Sequence, residues 1–372
     1  MAGLYIHIPF CRNKCAYCDF YSLAEVSQMQ QYVQALLNEW QMRKSEVTES
    51  YNTIYIGGGT PSLLPDSLLK KLVEEITCCV KVCNLSEFTI EANPEDIITE
   101  KLNFYKSLGI NRVSIGVQSF DNEELLRISR RHDAANAVKA LEVLSDFGMN
   151  YSADLIYGLP GQSLADWERN VDKLLSFNPP HFSSYLLSYE PGTRLYAQMM
   201  KGVVMEATED EAMAMYGLLC EKALQCGYEH YEVSNFAKPG KHAVHNSAYW
   251  NYTPYLGLGV SAHSFDGVVR RYNPLNIKKY VSELNENRVL VNEDEENVVN
   301  RANDYIITSL RTASGFSSRL FVECFGSRLY AQFMRNVTTL PLGVLLGDDN
   351  GFRIPEEKWL TSDAILRELI LD

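Results

Sequence analysis

Cys11, Cys15 and Cys18 fall within eight residues near the start of the chain, in the segment Cys-Arg-Asn-Lys-Cys-Ala-Tyr-Cys. Thiolate is the ligand that iron–sulfur clusters prefer. Three thiolates can hold three irons of a [4Fe–4S] cluster and leave the fourth open to a small molecule. The gaps, three residues and then two, are tight enough to wrap one corner of such a cube. A structural zinc site needs four ligands, and no further Cys-x-x-Cys or histidine pair follows nearby. His7 precedes Cys11 by four residues, in a run that reads as a strand and points it elsewhere. Arg12 and Lys14 flank the thiols and either offset thiolate charge or keep the loop soluble.

Other polar residues follow apolar runs. Gly57-Gly58-Gly59-Thr60-Pro61 allows a backbone to approach a ligand without a Cβ clash, although a tight β–α turn has the same needs. It is neither a Walker loop nor a dinucleotide fingerprint. Glu91 and Asp154 sit on strand-like runs and could accept hydrogen bonds from ribose hydroxyls or an ammonium group. Gln118 offers an amide, Arg130 could clamp a carboxylate, and Tyr17 could stack on an adenine beside the cluster. Helix capping and surface ion pairs are the competing uses of these side chains.

The elements that must position these residues alternate. Short β-like runs at residues 4–8, 53–56, 87–91, 112–117, 151–157 and 182–188 are separated by helical patterns at 28–44, 67–80, 99–108, 134–147 and 164–176. Gly109 and Gly148 stand where glycines end helices. Six β–α alternations predict an α/β fold, a partial (β/α)6 TIM-like barrel of parallel strands, whose chemistry lies on the loops after each strand. An open doubly wound sheet would gather the same residues. The pattern changes near residue 205. A helix at 208–225 leads to a strand-like run at 228–234, and helices near 298–312 and 317–325 precede a hairpin signal around Asn350-Gly351. These divisions predict a barrel over 1–235, a barrel-closing and connecting segment over 236–295, and a smaller α-rich, winged-helix-like unit over 296–372.

Composition bounds the function. The chain has 372 residues, 46% of them hydrophobic, enough for a substantial core. A formal net charge of −13 argues against nucleic-acid binding by phosphate neutralisation. The nine cysteines are an odd number, and those beyond the trio mostly fall in apolar helical patterns, which suits buried free thiols in a reducing compartment better than a disulfide framework. No signal peptide precedes the trio and no apolar run could span a bilayer. The expectation is a cytoplasmic protein.

Cys-x3-Cys-x2-Cys followed by Gly-Gly-Gly-Thr-Pro resembles the radical S-adenosylmethionine (SAM) superfamily. The segments Tyr5-Ile6-His7-Ile8-Pro9-Phe10-Cys11, Gly116-Val117-Gln118-Ser119-Phe120 and Asp154-Leu155-Ile156-Tyr157-Gly158-Leu159-Pro160 narrow the likeness to the oxygen-independent coproporphyrinogen III oxidase family, over nearly the whole chain. The resemblance implies that Cys11, Cys15 and Cys18 ligate the cluster and that SAM binds the open iron. Tyr5, Gly58 and Glu91 match residues contacting that SAM; Gly59, Thr60, Gln118, Arg130 and Asp154 match the lining of a second SAM site. Reductive cleavage of SAM to a 5′-deoxyadenosyl radical would be chemistry the cofactor brings.

Two departures separate the chain from the oxidases. Their pattern continues Cys-x-Cys after the third ligand, where this chain has Phe20, and they carry a long extension before the cysteines, where this chain has ten residues. Both features, with His245-Asn246-Ser247-Ala248-Tyr249-Trp250, are similar to the heme chaperone branch of the family. That resemblance implies binding of heme and its transfer to acceptor haemoproteins of the respiratory chain, with peripheral membrane association and without porphyrinogen decarboxylation. The oxidative decarboxylase is the alternative. The chaperone resemblance also implies His245 as the heme ligand, with Tyr249, Trp250, Tyr252 and Tyr255 offering flat surface for the macrocycle. His242 and His263 are nearby alternatives, and a hydrogen-bonded histidine in an aromatic cluster would read the same way.

Overall fold

The computed structural model describes residues 2–46, 50–78, 85–289, 291–294, 297–348 and 350–372. Six strands form a parallel row in chain order: β1 (Ala2–Ile8), β2 (Tyr51–Gly58), β3 (Glu87–Ala92), β4 (Arg112–Gln118), β5 (Asn150–Tyr157) and β6 (His181–Leu186). The crossovers carry α1 (Met29–Arg43), α2 (Asp66–Thr77), α3 (Thr99–Ser107), α4 (Asn122–Arg127) with α5 (Ala134–Phe147), and α6 (Leu164–Ser176). Parallel neighbours need such crossovers, since a hairpin cannot join them.

Hydrophobic alternation decides which face each strand buries. Leu4, Ile6 and Ile8, Ile54 and Ile56, Phe88 and Ile90, Val113, Ile115 and Val117, and Ala153 and Leu155 belong to one buried apolar cluster with Leu36, Leu72, Leu102, Leu141 and Val171 of the helices. The residues between them point the other way. That inward face reads Tyr5, Tyr55, Glu91, Arg112, Ser114, Ser152, Asp154 and Ser183. A (β/α)8 barrel usually fills its interior with branched apolar side chains; this one keeps polar groups there, and the interior stays open.

Local signals agree with the helix ends. Ser163 and Asp166 form a reciprocal capping box at the start of α6, and Gly148 takes φ 69° to end α5. The sixth strand stops at Leu186, two residues before the expected limit. The expected helix at 67–80 is seen as α2 through Thr77; residues 79 and 80, with Cys79 and Cys83, lie outside the described residues.

After α7 (Arg194–Met200) and α8 (Glu209–Gln225), the run expected as one strand at 228–234 folds back on itself. β7 (Glu229–Glu232) pairs antiparallel with β8 (Asn235–Ala237), which borders β6. The chain then crosses to the other edge. α9 (Val244–Trp250) leads into β9 (Tyr255–Leu258), parallel to β1, followed by β10 (His263–Phe265), β11 (Arg270–Tyr272), α10 (Ile277–Asn285) and β12 (Asn292–Glu293). Strands β9 to β12 thus extend the sheet beyond β1, and among the described residues none of them pairs with β6, so the row remains an open, partial barrel.

The last unit contains α11 (Val298–Leu310), β13 (Phe316–Ser317), α12 (Ser318–Phe325), α13 (Ser327–Thr339), β14 (Leu346–Asp348), β15 (Gly351–Arg353) and α14 (Ser362–Leu369). Its strands order β13-β15-β14, and β14 and β15 are the hairpin flanking Asn350. Aromatic rings fill its core, with Phe316 and Phe333 stacked at 4.4 Å. Main-chain bonds from Val233 N to Arg311 O (3.1 Å) and Ala313 N to Tyr231 O (3.0 Å) tie it to the barrel. No helix among the described residues is long and apolar enough to cross a membrane. Cys226 and Cys324 are free thiols on the surface, not buried as their apolar surroundings in sequence suggest.

Candidate cofactor site

A cavity of about 600 Å³ runs from the C-terminal ends of the parallel strands down into the barrel. Cys11, Cys15, Tyr17, Cys18, Gly58, Gly59, Thr60, Glu91, Gln118, Arg130 and Asp154 all line it. Eleven positions selected from six separate segments of the chain therefore face one space. Two others do not. Tyr5 stands behind Tyr55, with ring centroids 6.1 Å apart, and its hydroxyl meets His7 Nδ1 at 3.0 Å. His245 lies beneath the cavity wall.

The cysteine loop is pinned at both ends. Cys11 N donates to Leu23 O (2.9 Å) and Ala16 N to Ile128 O (2.9 Å). Thr60 Oγ1 approaches Cys11 Sγ at 3.6 Å, and Arg130 Nη1 approaches Cys15 Sγ at 3.5 Å. Burial pushes the Cys11 thiol up, and pushes Cys18 up to about 11. Both are therefore protonated in the ligand-free chain at neutral pH, and a bound cation is what would make them thiolates. Among the described residues no three His, Cys, Asp or Glu side chains are grouped as a single metal ion would need.

The glycine strip is a cradle that a side chain would fill. A Cβ on Gly59 would sit 2.9 Å from Cys11 Sγ and 2.7 Å from Phe10 O; one on Gly57 would sit 2.9 Å from Glu91 Oε1. Gly58 has φ 115°, which glycine alone adopts without strain, and its N–H donates to Glu91 Oε2 at 2.9 Å. These residues fit a cluster with a small molecule beside it: three soft donors on one wall, with backbone stripped of side chains next to them.

Glu91 also accepts from Tyr55 OH at 2.8 Å. Burial pushes its carboxyl up to about 7, against the pull of those two bonds. Asp154 is pushed up to about 6, again by burial, and Ser114 Oγ donates to it at 3.4 Å. Carboxyls poised near neutrality suit an ammonium or hydroxyl partner. Gln118 occupies φ 70° where β4 slips register against β5 between Gly116 and Gln118. A non-glycine residue in that region carries strain, and here the kink turns the amide into the cavity. Burial works against the Arg130 charge, but Tyr17 and Cys15 outweigh it and raise its proton affinity.

His245 is 1% exposed. Its Nδ1 pairs with Thr53 Oγ1 at 2.8 Å, its Nε2 with Tyr249 OH at 2.9 Å, and its ring stacks on Tyr55 at 5.1 Å. Burial, then the Arg112 charge, push it down to about 3, so the imidazole is neutral. With both nitrogens engaged inside the barrel, it is not presented as an open heme ligand in this arrangement. The aromatic surface expected around it is divided: Tyr249 packs edge-on against Tyr255 (4.7 Å), while Tyr252 turns towards Phe265 and Phe325. His242 is a surface residue bonded to Glu229 at 2.8 Å, and His263 stacks on Tyr272.

Reading the sequence did not select Tyr55, Arg112, Ser114, Ser152, Ser183 or Asn246, all of which line the cavity. For the five strand residues the signal was the alternation itself, polar or aromatic residues at every second position of runs whose other positions are apolar; Asn246, on α9, carried no such mark.

The radical SAM superfamily model matches residues 5–174. The chain is 36% identical to the heme chaperone HemW of Bacillus subtilis (strain 168) over 338 residues, covering 90% of this chain and 89% of that protein. It is 32% identical to the HemW of Lactococcus lactis subsp. lactis (strain IL1403) over 374 residues, covering 99% and 97%. Among solved structures, the coproporphyrinogen III oxidase HemN from Escherichia coli, a radical SAM enzyme, superposes with a TM-score of 0.83 at 22% identity, over 99% of this chain and 90% of that one. The shared architecture is that of the radical SAM fold, and the chain belongs to the HemW family of heme chaperones, the branch of the radical SAM superfamily allied to the oxygen-independent coproporphyrinogen III oxidases.

Proposed function

We propose that this chain carries a [4Fe–4S] cluster and SAM in its barrel and acts as a heme chaperone, taking up heme and passing it to acceptor haemoproteins, including those of the respiratory chain. One observation carries the cofactor half: three thiols, a side-chain-free glycine strip and two carboxyls of near-neutral affinity face a single cavity. The heme half rests on the relatives that bear the chaperone name.

In this reading Cys11, Cys15 and Cys18 would hold three irons of the cluster and leave one iron without a protein ligand, open to SAM. Glu91 receives the ammonium of the SAM beside it, with Tyr55 and Gly58 N fixing its two oxygens. Tyr5 supports that wall from behind. Gly59, Thr60, Gln118, Arg130 and Asp154 line the space for a second SAM. When bound, cluster and SAM together supply one-electron chemistry. The chain's own residues bind, orient and wall off that chemistry from bulk water.

Phe20, 70% exposed at the cavity mouth, occupies the place where the oxidase pattern has a cysteine. This favours heme handling over porphyrinogen decarboxylation. Heme ligation through His245 would require Tyr249 to release Nε2 and the imidazole to leave its buried site. We place the protein in the cytoplasm, where thiols stay reduced, with its heme acceptors reached by peripheral contact with the membrane. The test is a spectrum of anaerobically reconstituted protein with and without hemin, beside an assay of coproporphyrinogen III consumption with SAM and reductant. A cluster band, a hemin-dependent Soret band and no turnover are expected. Turnover without a Soret band would replace the chaperone by the oxidase.

A further inference from the structure

Arg112 opens β4 and shares the inward register with Ser114 and Gly116. Its side chain is 2% exposed, and it lines the deep end of the cavity with Ser152, Asp154 and Asn246. A guanidinium carries five N–H donors and no acceptor, and it stays charged, so burial demands partners for it. Arg112 has almost none. Among the described residues its guanidinium makes no hydrogen bond. Its one ionic contact is Nε to Glu87 Oε2 at 3.9 Å, and Nε is buried without a hydrogen-bond partner.

Glu87 is already committed elsewhere. Its oxygens accept from Val244 N (2.8 Å), His245 N (3.2 Å) and Thr89 Oγ1 (3.1 Å). Arg43 shows how this fold treats an arginine that only holds structure together. Equally buried, it donates to Glu39 (2.7 Å), Glu46 (2.8 Å), Gly257 O (3.1 Å), Asn273 (3.3 Å) and Ser264 (3.1 Å). Asp154 feels the Arg112 charge, which lowers its proton affinity, yet the two do not form an ion pair among the described contacts.

We propose that Arg112 is the anion-binding group at the floor of the cavity and receives a carboxylate carried by the guest that fills it. The planar fork of a guanidinium matches a carboxylate in two parallel hydrogen bonds. The amide of Asn246 lines the same cavity as a further donor. The inference rests on the reading that SAM fills this cavity; the amino-acid end of a second SAM supplies that group, and a porphyrin propionate admitted to the same space would supply it too.

The experiment uses the full-length protein and R112Q. Equilibrium dialysis measures SAM, Soret titration measures deuteroporphyrin IX and its dimethyl ester, and thermal melting is followed with and without sulfate. R112Q should bind one carboxylate ligand at least tenfold more weakly, lose the sulfate-dependent rise in Tm, and melt higher than wild type without ligand because an unpaired buried charge is gone. Loss of SAM alone identifies SAM as the source. Loss of deuteroporphyrin with the ester unaffected identifies the propionate. Affinities for both within twofold of wild type would overturn the assignment, as would a lower Tm with binding unchanged, which would leave Arg112 a counterion of Glu87. Should R112Q not fold, R112K decides: weaker binding than wild type is expected, and full retention overturns. Wild-type protein that binds neither ligand sinks the function proposed above, and the sulfate arm then still decides for or against Arg112.

Discussion

Gly59→Ala puts the cluster assignment under strain at one atom. The glycine does not have a left-handed backbone, so alanine costs nothing in φ. Its Cβ, however, would stand 2.9 Å from Cys11 Sγ and 2.7 Å from Phe10 O. Ordinary contact between such atoms needs about 3.5 Å or more, so the thiol must retreat by roughly 0.6 Å. Phe10 O cannot follow freely, because Thr60 N holds it at 2.8 Å. Overpacking of this kind costs about 1–3 kcal/mol. The clash with Phe10 O is present with or without metal and lowers Tm. The clash with Sγ falls mainly on the loaded state, since a free thiol can rotate into the cavity and an iron-bound one cannot. At about 1.4 kcal/mol per tenfold, cluster affinity should fall by between about fivefold and a hundredfold. The assay is anaerobic reconstitution with limiting iron and sulfide, followed by metal analysis and the thiolate-to-iron absorption band. Wild-type iron content in Gly59→Ala at every iron concentration would refute the placement of a cluster against this strip.

The other predictions concern the interior. Glu91 and Asp154 are raised above their ordinary values, to about 7 and about 6, by burial. A raised carboxyl favours folding below its ordinary value and loses that advantage as pH climbs through its folded value. The ligand-free protein should therefore lose stability between about pH 4 and pH 7, by at most about 3 kcal/mol per group and less where cavity water reaches them. Urea midpoints across that range should flatten in Glu91→Gln and Asp154→Asn, and an unchanged slope would count against enclosed carboxyls. His245→Ala leaves Thr53 and Tyr249 without a partner and opens a void, so it should cost about 2–4 kcal/mol even without heme. Tyr249→Phe instead frees Nε2 and should strengthen the hemin Soret band; an unaltered band would argue against ligation through His245. Arg43→Leu strands the buried Glu39 carboxylate and should cost about 3–5 kcal/mol in urea unfolding while sparing cluster content.

The alternation of short apolar runs with amphipathic helices was legible, because each parallel strand buries one face under a helix and the next strand repeats the pattern. The cysteine trio, the glycine strip, Glu91 and Gln118 were legible for a related reason: they end or follow those strands, and a barrel gathers strand ends; Asp154 sits within β5 and Arg130 between α4 and α5, and both were singled out by side-chain chemistry and family resemblance. Other features depend on long-range placement. β9 is four residues long, and nothing in Tyr255-Leu256-Gly257-Leu258 says that it pairs with β1 at the far end of the chain. The family resemblance pointed to His245 as a heme ligand, with a hydrogen-bonded histidine in an aromatic cluster as the other reading; the fold tucks α9 against Glu87, and the imidazole sits inside with Thr53, Tyr249 and Tyr55 around it. Arg112 stood in the sequence only as the first residue of an expected strand. Its importance comes from the partners it lacks, which only packing reveals. The positive φ of Gln118 depends on a register slip against β5 and left no mark on residue type.

Metal and sulfide analysis of anaerobically prepared protein, with EPR of the reduced sample before and after SAM, tests the central claim most directly. About four irons and four sulfides per chain are expected. That content should vanish when Cys11, Cys15 and Cys18 are replaced together, and added SAM should change the signal by occupying the open iron. One zinc per chain, iron content indifferent to those thiols, or a signal blind to SAM would contradict the account.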